Sequence, residues 1–308
     1  MAVFERGETY VHRVDTRTRA GVLTNPSTVT FTLFDPCGTI LINAQSMTSD
    51  ALGQYYYNYN IPSNAMYGMY NAQAAATSSG AQTAISRKYF YIMPWNSIDD
   101  VRQVMGLSET KDITDDNLST IVWSSYQYAL RDTFIHYYEE EPSPDVHNGY
   151  WFDGSNVDFQ TQHFPLADIG GDGVILGSGD TTSCVSDITV YWVDTNGTYQ
   201  EGKVKVNKPV RGEIKIYQYD GTSPIPSTQQ GVYLDYWTKS WRYNEYLFRQ
   251  AVVRLSCHEV SKRLVSMDKV TLADIRGNNP LVVIDPNMYM KEYNRYIRKN
   301  CELALGGV

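Results

Sequence analysis

The hydrophobic period of this chain switches at Trp95, and that switch constrains the fold more than any other feature of the sequence. Before Trp95 apolar residues recur at every second position; in the stretch that follows it they recur near every 3.6. In Ser27-Thr-Val-Thr-Phe-Thr-Leu-Phe34, Val29, Phe31 and Leu33 alternate with Thr28, Thr30 and Thr32, the pattern of a half-buried strand. Gln54-Tyr-Tyr-Tyr-Asn-Tyr-Asn-Ile61 is equally rich in residues that suit a pleated surface. Asp35-Pro-Cys-Gly38 marks a turn before Ile40-Leu-Ile42, Ile61-Pro-Ser-Asn64 and Tyr67-Gly68 mark the next, and Arg87-Lys-Tyr-Phe-Tyr-Ile92 closes the run before Met93-Pro94. Turn signals this closely spaced predict a small β-sandwich over residues 1–94.

The helical stretch opens with Ser97 as an N-cap and Asp99 and Asp100 in the first turn, where the helix dipole favours acids. Ile98, Val101, Val104 and Met105 lie at helical spacing, and Gly106 stops the helix. Thr114 caps a second helix carrying Leu118, Ile121, Val122, Ala129, Leu130 and Phe134, expected to run on until Glu139-Glu-Glu-Pro142. Residues 143–187 are rich in Gly, Asp and Ser and read as a long loop or insertion, of the kind that is usually functional or ordered by a partner. Ile188-Thr-Val-Tyr-Trp-Val193, the hairpin signal Asn196-Gly197, and the alternations at Val204, Val206, Ile214 and Ile216 predict antiparallel strands. After a polar loop over 220–231, a helix from about Tyr243 to Leu264 is apolar on several faces and should be buried centrally. A final helix starts at Asp285-Pro286, with Tyr289, Tyr293, Tyr296 and Ile297 on one stripe and Lys291, Arg295, Arg298 and Lys299 mostly beside it. Such a helix after a linker needs a groove on its own chain or on another. The expected division is 1–94, 95–265 and a C-terminal arm over 266–308.

Apolar residues make up 42% of the chain and charged residues 19%, enough to build real cores and too apolar for a disordered chain. The 25 tyrosines point to half-buried surfaces and interfaces. A net charge of -8 argues against sequence-specific DNA binding, which calls for a basic surface. The charge is unevenly spread: residues 97–187 carry 17 acidic and 3 basic groups, residues 242–308 carry 11 basic and 7 acidic. An acidic middle and a basic end point to copies that dock on each other, or to a partner of mixed sign. The first residues lack the apolar core of a secretory signal, and no apolar run approaches the ~18 residues of a membrane span, so the expectation is a soluble protein made in a cytoplasm. Cys37, Cys184, Cys257 and Cys301 are too widely spaced for a metal finger or redox pair and read as four thiols.

Few residues offer themselves for chemistry. None of the five histidines belongs to an HExxH motif, and no Gly-x-Ser-x-Gly elbow exists. Cys257 and His258, adjacent on a helix, point about 100° apart and do not face each other. Asp168-Ile-Gly-Gly-Asp-Gly173, with Asp180 beyond it, resembles a fragment of a calcium loop but lacks the terminal Glu, and reads as an Asp/Gly turn. Phosphate-binding loops are missing. Tyr55, Tyr56, Tyr57 and Tyr59 read as strand packing, with a sugar-stacking platform as the rival. Catalytic residues, cofactor and metal are therefore all assigned as none.

Two resemblances add to this. "TVTFTLFDPCGTILI" followed by "QYYYNYNIPSNAMYGMYNAQA" resembles the immunoglobulin-like domains attached to many viral and surface proteins, here without the Cys…Trp…Cys core. From Asn96, "NSIDDVRQVMGLSETKDITDDNLSTIVWSSYQYALRD", "DITVYWVDTNGTYQEGKVKVNKPVRGEIKIYQY" and "LFRQAVVRLSCHEVSKRL" resemble, in order, the helices, small β-unit and last core helix of the head–tail connector (adaptor) proteins of tailed viruses. The implied fold is α+β and multidomain: an Ig-like sandwich, a helical adaptor domain with a small antiparallel β-unit, and a C-terminal helical arm. The implied role is a structural, non-enzymatic virion protein of the neck. It would form a homo-oligomeric ring of roughly a dozen copies beneath the portal protein. That ring would extend the channel, pass viral dsDNA without sequence-specific binding, and meet a stopper or tail-completion protein. The portal-docking arm would be the stripe Tyr289, Tyr293, Tyr296 and Ile297, and truncation after Ile284 would leave a folded chain that no longer joins portals. The acidic groups Asp115, Asp116, Glu139, Glu140 and Glu141 would face the channel or a ring neighbour, since acids repel phosphates. The alternative is a carbohydrate- or receptor-binding Ig-like surface or decoration protein.

Overall fold

The computed structural model describes residues 2–18, 20–78, 81–95, 97–107, 113–144, 152–180, 186–239, 243–266 and 286–305. Among the described residues it is a mixed α and β structure of several sheets and four helices. The chain divides into two compact units, residues 1–123 with 260–284, and residues 124–259 with 285–308.

The first unit is built on eight strands: β1 (Ala2–Phe4), β2 (Thr9–Asp15), β3 (Thr28–Phe34), β4 (Ile40–Ser46), β5 (Thr48–Ala51), β6 (Gln54–Asn60), β7 (Gly68–Ser78) and β8 (Ala81–Ile92). They form a β-sandwich. A five-stranded sheet in the order β1-β8-β7-β3-β4 packs against a three-stranded one in the order β2-β6-β5. The period-two pattern is realised in β3, where Val29, Phe31 and Leu33 are buried while the threonines between them are not. Their core includes Tyr70, Ala72, Ala74, Phe90 and Ile92, with Tyr55, Tyr57 and Tyr59 packed on it from the other sheet. Tyr57 stacks on Phe31 with centroids 4.4 Å apart, so three of the four clustered tyrosines are packing residues, as expected.

Helix α1 (Ser97–Met105) and helix α2 (Asp115–Thr133) follow. Thr114 caps α2: its hydroxyl accepts the N–H of Asn117 at 3.4 Å and its carbonyl that of Leu118 at 3.0 Å. Helix α2 stops at Thr133, short of its expected end. Residues Ile135–Glu140 are a strand, β9, because Ile135, His136, Tyr137 and Tyr138 find a ladder partner whose pairing outweighs helix continuation.

The second unit holds β9, β10 (Ser143–Pro144), β11 (Asp158–Gln160), β12 (Ile188–Val193), β13 (Tyr199–Lys208), β14 (Glu213–Gln218) and β15 (Gly231–Thr238) in one sheet, ordered β10-β11-β14-β13-β12-β15-β9. The presumed insertion is integral to it. Strand β11 pairs with β14, and Phe159 and Leu166 are core residues, joined by Phe152 and Ile175. Few apolar residues mark this segment because it covers the sheet with loop backbone, whose polar groups need carboxylates. Asp168 accepts the N–H groups of Gly171, Asp172 and Gly173, and Asp187 those of Ile169, Gly170 and Leu176. The Asp/Gly stretch is thus a turn whose carboxylates serve backbone. Helix α3 (Glu245–Ser266) is capped by Asn244, whose side-chain oxygen accepts the N–H of Leu247 at 3.0 Å. Phe248, Ala251, Val252, Val253, Leu255, Ser256 and Cys257 are all buried, as its all-round apolar sequence requires. Burial pushes the Cys257 thiol up to about 12. Cys37 is instead disulfide-bonded, because spacing along the chain says nothing of distance in the fold; the side chains of Cys184 and Cys301 lie outside the described residues.

Helix α4 (Pro286–Leu305) begins where expected. Tyr289 and Tyr293 are buried within the second unit. The Tyr293 hydroxyl donates to Asp132 Oδ2 at 2.5 Å, Glu292 pairs with Arg254 at 2.9 Å, and His258 Nδ1 lies 2.8 Å from the Pro286 carbonyl. Half of the tyrosine stripe is therefore occupied by its own chain. Truncation after Ile284 would strip a core face from the second unit instead of detaching an arm.

Candidate functional site

Strand β9 is an edge of the seven-stranded sheet, and it carries the three consecutive acids Glu139, Glu140 and Glu141 at and just beyond its end. Its register with β15 runs Thr238↔Ile135, Trp237↔His136, Tyr236↔Tyr137 and then Leu234↔Glu140. Two residues of β9, Tyr138 and Glu139, therefore stand against Asp235 alone. That is a β-bulge, a device that re-aims side chains at strand edges. Glu139 takes φ 54°, a conformation uncommon outside glycine, and its N–H donates to Asp235 Oδ1 at 2.9 Å. The bulge separates the acids. Glu139 joins the outer face of the sheet, Glu140 turns inward, and Glu141 is exposed beyond the strand.

On the outer face, Glu139 and Asp235 sit among aromatic rings. Tyr191 of β12 lies opposite Tyr233 of β15, their centroids 5.5 Å apart, and Tyr199 of β13 lies 5.6 Å from Tyr191. Tyr138 and Tyr199 are 65% and 68% exposed. His136 stacks on Trp237 at 4.4 Å and lies 6.2 Å from Tyr138, extending the aromatic surface along the edge. The negative field here is tangible. Glu139 first, and Asp235 after it, hold the Tyr138 phenol above its ordinary value, and burial followed by Glu139 does the same for Tyr191. Flat π-faces beside two carboxylates can receive a cationic or hydroxyl-rich group and repel an anion.

On the inner side, Glu140 accepts the Tyr236 hydroxyl and faces His163 Nε2 at 3.2 Å. The His163 ring stacks on Tyr137 at 4.0 Å, and its backbone N–H donates to the Tyr236 hydroxyl at 3.1 Å. Burial raises the Glu140 carboxyl and His163 opposes that rise. A carboxylate holding an imidazole is two-thirds of a hydrolytic triad. The neighbouring Thr161 hydroxyl donates to the His163 carbonyl and not to the ring, and the Tyr236 hydroxyl donates to Glu140, so among the described residues neither hydroxyl is paired with the imidazole as a nucleophile would be.

The remaining expected residues lie apart. In the first unit, Asp115 accepts from Arg102 Nη2 at 2.6 Å, and Arg102 also donates to the Ile113 carbonyl, so Asp115 serves to bind α1 to the start of α2. Asp116 is exposed, and its carbonyl accepts the hydroxyls of Ser119 and Thr120. Tyr296 and Ile297 are half-buried on α4. A cleft of about 710 Å³ opens in the sandwich over Val14, Val29, Ala74 and Ala76, with the Asp15–Arg17 pair among its lining. Among the described residues no cluster of three His, Cys, Asp or Glu side chains is placed to hold a metal, and no helix is long and apolar enough to cross a membrane.

Sequence reasoning had the three acids of β9 but not their partners. Strand β15, with its strict alternation of buried and half-buried positions across Gly231–Thr238, was legible in Val232-Tyr-Leu-Asp-Tyr-Trp-Thr238 and would have revealed them.

No protein-family model matches the chain, and no curated protein matches it. Solved structures that it is similar to include the Lin-41 filamin domain, at 20% identity over 30% of this chain and 84% of that one, with a TM-score of 0.24. Another is Escherichia coli alpha-2-macroglobulin activated by porcine elastase, at 11% identity over 77% of this chain and 16% of that one, with a TM-score of 0.26. A third is a chimeric titin Z1Z2 tandem, at 10% identity over 78% and 95%, with a TM-score of 0.21. Superpositions this loose identify neither a shared fold nor a shared function.

Proposed function

We propose that this chain is a structural protein of a virion neck: a ring-forming head–tail adaptor beneath the portal that extends the DNA channel and joins the tail. The observation that carries the reading is the order of elements after the sandwich. Two helices, an antiparallel sheet with a tight turn at Asp194–Thr198 between β12 and β13, and a long buried helix follow one another, an order similar to that of the adaptor family. The sandwich supports the immunoglobulin-like part of the reading. Strands β8-β7-β3-β4 facing β2-β6-β5 match the G-F-C-C′ and B-E-D distribution of such domains.

Within this proposal the residues divide by exposure. Tyr289 and Tyr293 anchor α4 to its own chain, leaving Tyr296 and Ile297 as the part of the stripe that a portal would meet. Asp115, Asp116, Glu139 and Glu141 are exposed and suited to a lumen or a neighbour, Asp115 while paired with Arg102, whereas Glu140 is half-buried and held by Tyr236 and His163. The rival reading, a glycan- or receptor-binding surface on the sandwich, loses three of its four tyrosines to core packing.

Mass spectrometry of purified virions, counting this chain against the portal protein, tests the proposal. Equal copy number, roughly a dozen as for a closed cyclic ring, is expected. A count in the hundreds would instead make it a shell or tail decoration, and absence from the particle would overturn the structural reading.

A further inference from the structure

The second unit carries two surfaces of opposite sign. One is the outer-face patch of Glu139 and Asp235 among Tyr138, Tyr191, Tyr199 and Tyr233. The other is on α4. Lys291, Arg295, Arg298 and Lys299 are all exposed, and at 100° per residue they fall within an arc of about 100°. That arc lies on the opposite side of the helix from Tyr289 and Tyr293. The sequence places two acids on or beside it: Glu292 is paired with Arg254, and Glu302 leaves four basic groups against one acid on that face.

We infer that these two surfaces recognise each other between copies of the chain: the basic face of α4 on one copy docks on the tyrosine–carboxylate patch of the next. The inference rests on the ring reading and supplies its contact. Guanidinium and ammonium groups are the cations that aromatic faces and carboxylates hold best, and arginine is the stronger partner through its planar fork. The Tyr138 phenol, held up first by Glu139, reports the negative field that such cations would enter, and at Tyr191 Glu139 and Asp235 add to the larger effect of burial. A nucleic acid would suit α4 but be repelled by the patch, whereas a second copy offers each surface its complement. Because the two surfaces are different, the contact is heterologous and propagates head to tail, closing into a ring when the rotation permits. Tyr138 and Tyr199, exposed rings beside the acids, are the anchors expected to dominate such an interface.

The test is a charge swap in the full chain, read by light scattering after gel filtration, with circular dichroism as the control for folding. The wild-type chain should associate. E139K with D235K should abolish association, and so should R295E with R298E. All four changes in one chain should restore it, because the surfaces are complementary again with signs exchanged. Tyr138→Ala with Tyr199→Ala, which changes no charge, should weaken it by at least about tenfold, since both anchors are lost. Association that survives either reversal overturns this contact and leaves the ring reading standing. So does failure of the fourfold variant to recover while folded. A wild-type chain that stays monomeric also overturns it, and the ring reading then stands or falls separately on the copy number in virions.

Discussion

His12 shows how one buried side chain sets a pH limit on the sandwich. It is fully buried, its Nδ1 lies 2.7 Å from the Tyr10 hydroxyl, and its ring lies against Phe31. Burial, and behind it Lys88, lowers its pKa to about 4. A depressed folded value means that the neutral ring is preferred in the native state. The stability it contributes is complete above pH 6.5 and lost as pH falls through 4, about 3 kcal/mol at the limit. Urea unfolding of the full chain should lose stability over that window, and His12→Phe should flatten the slope. Gly177 makes a purely steric counterpart. A Cβ there would overlap the carbonyl of Val204, so Gly177→Ala should destabilise the second unit by about 2–4 kcal/mol, seen as a lower unfolding midpoint.

The loop residues 166–180 and 186–187 and helix α4 matter as elements, and sequence patterns understated both. Burial lifts Asp168 to about 6, with Asp172 adding to it, and burial likewise lifts Asp187 to about 7. Raised acids act in the opposite sense to His12. Their contribution is present below the unfolded value near 4 and is lost as pH rises through 6 and 7. Amide exchange at Leu176 and Gly170, corrected for intrinsic rates, should therefore speed up between pH 5 and 8 by roughly tenfold or more. Replacing Asp187 by Asn should remove the part of the dependence centred near 7 and leave that of Asp168. For α4, truncation after Ile284 takes away the buried rings of Tyr289 and Tyr293 and leaves Arg254 without Glu292. The truncated chain should unfold at lower urea, with a loss of several kcal/mol, on the order of two large buried rings. An unchanged midpoint would restore the detachable arm.

For the whole molecule the proposed contact between copies would put the uneven charge to use. The segment with 17 acids contributes Glu139 to the patch, and the basic end contributes the exposed face of α4. Attraction between such surfaces is largely screened beyond a Debye length, about 10 Å at 0.1 M salt and shorter as salt rises. Association should therefore weaken steadily between low and 0.5 M salt, checked by sedimentation across the series. A salt-independent assembly would place the interface on apolar surface instead.

What the sequence alone determined was whatever depends on local periodicity. The alternation in β3, the Thr114 cap, the all-round burial of α3 and the start of α4 all follow from residues within a turn or two of one another. The rest was decided by partners distant in the chain. Helix α2 gives way to β9 because β15, a hundred residues on, offers a ladder. The Gly- and Asp-rich stretch becomes core because carboxylates satisfy loop backbone laid over a sheet. Three consecutive acids end in three environments because one bulge turns Glu139 outward and Glu140 inward. Side-chain direction in a strand changes with every residue, so a single inserted position redistributes charge in a way that composition cannot reveal and only the paired backbone decides.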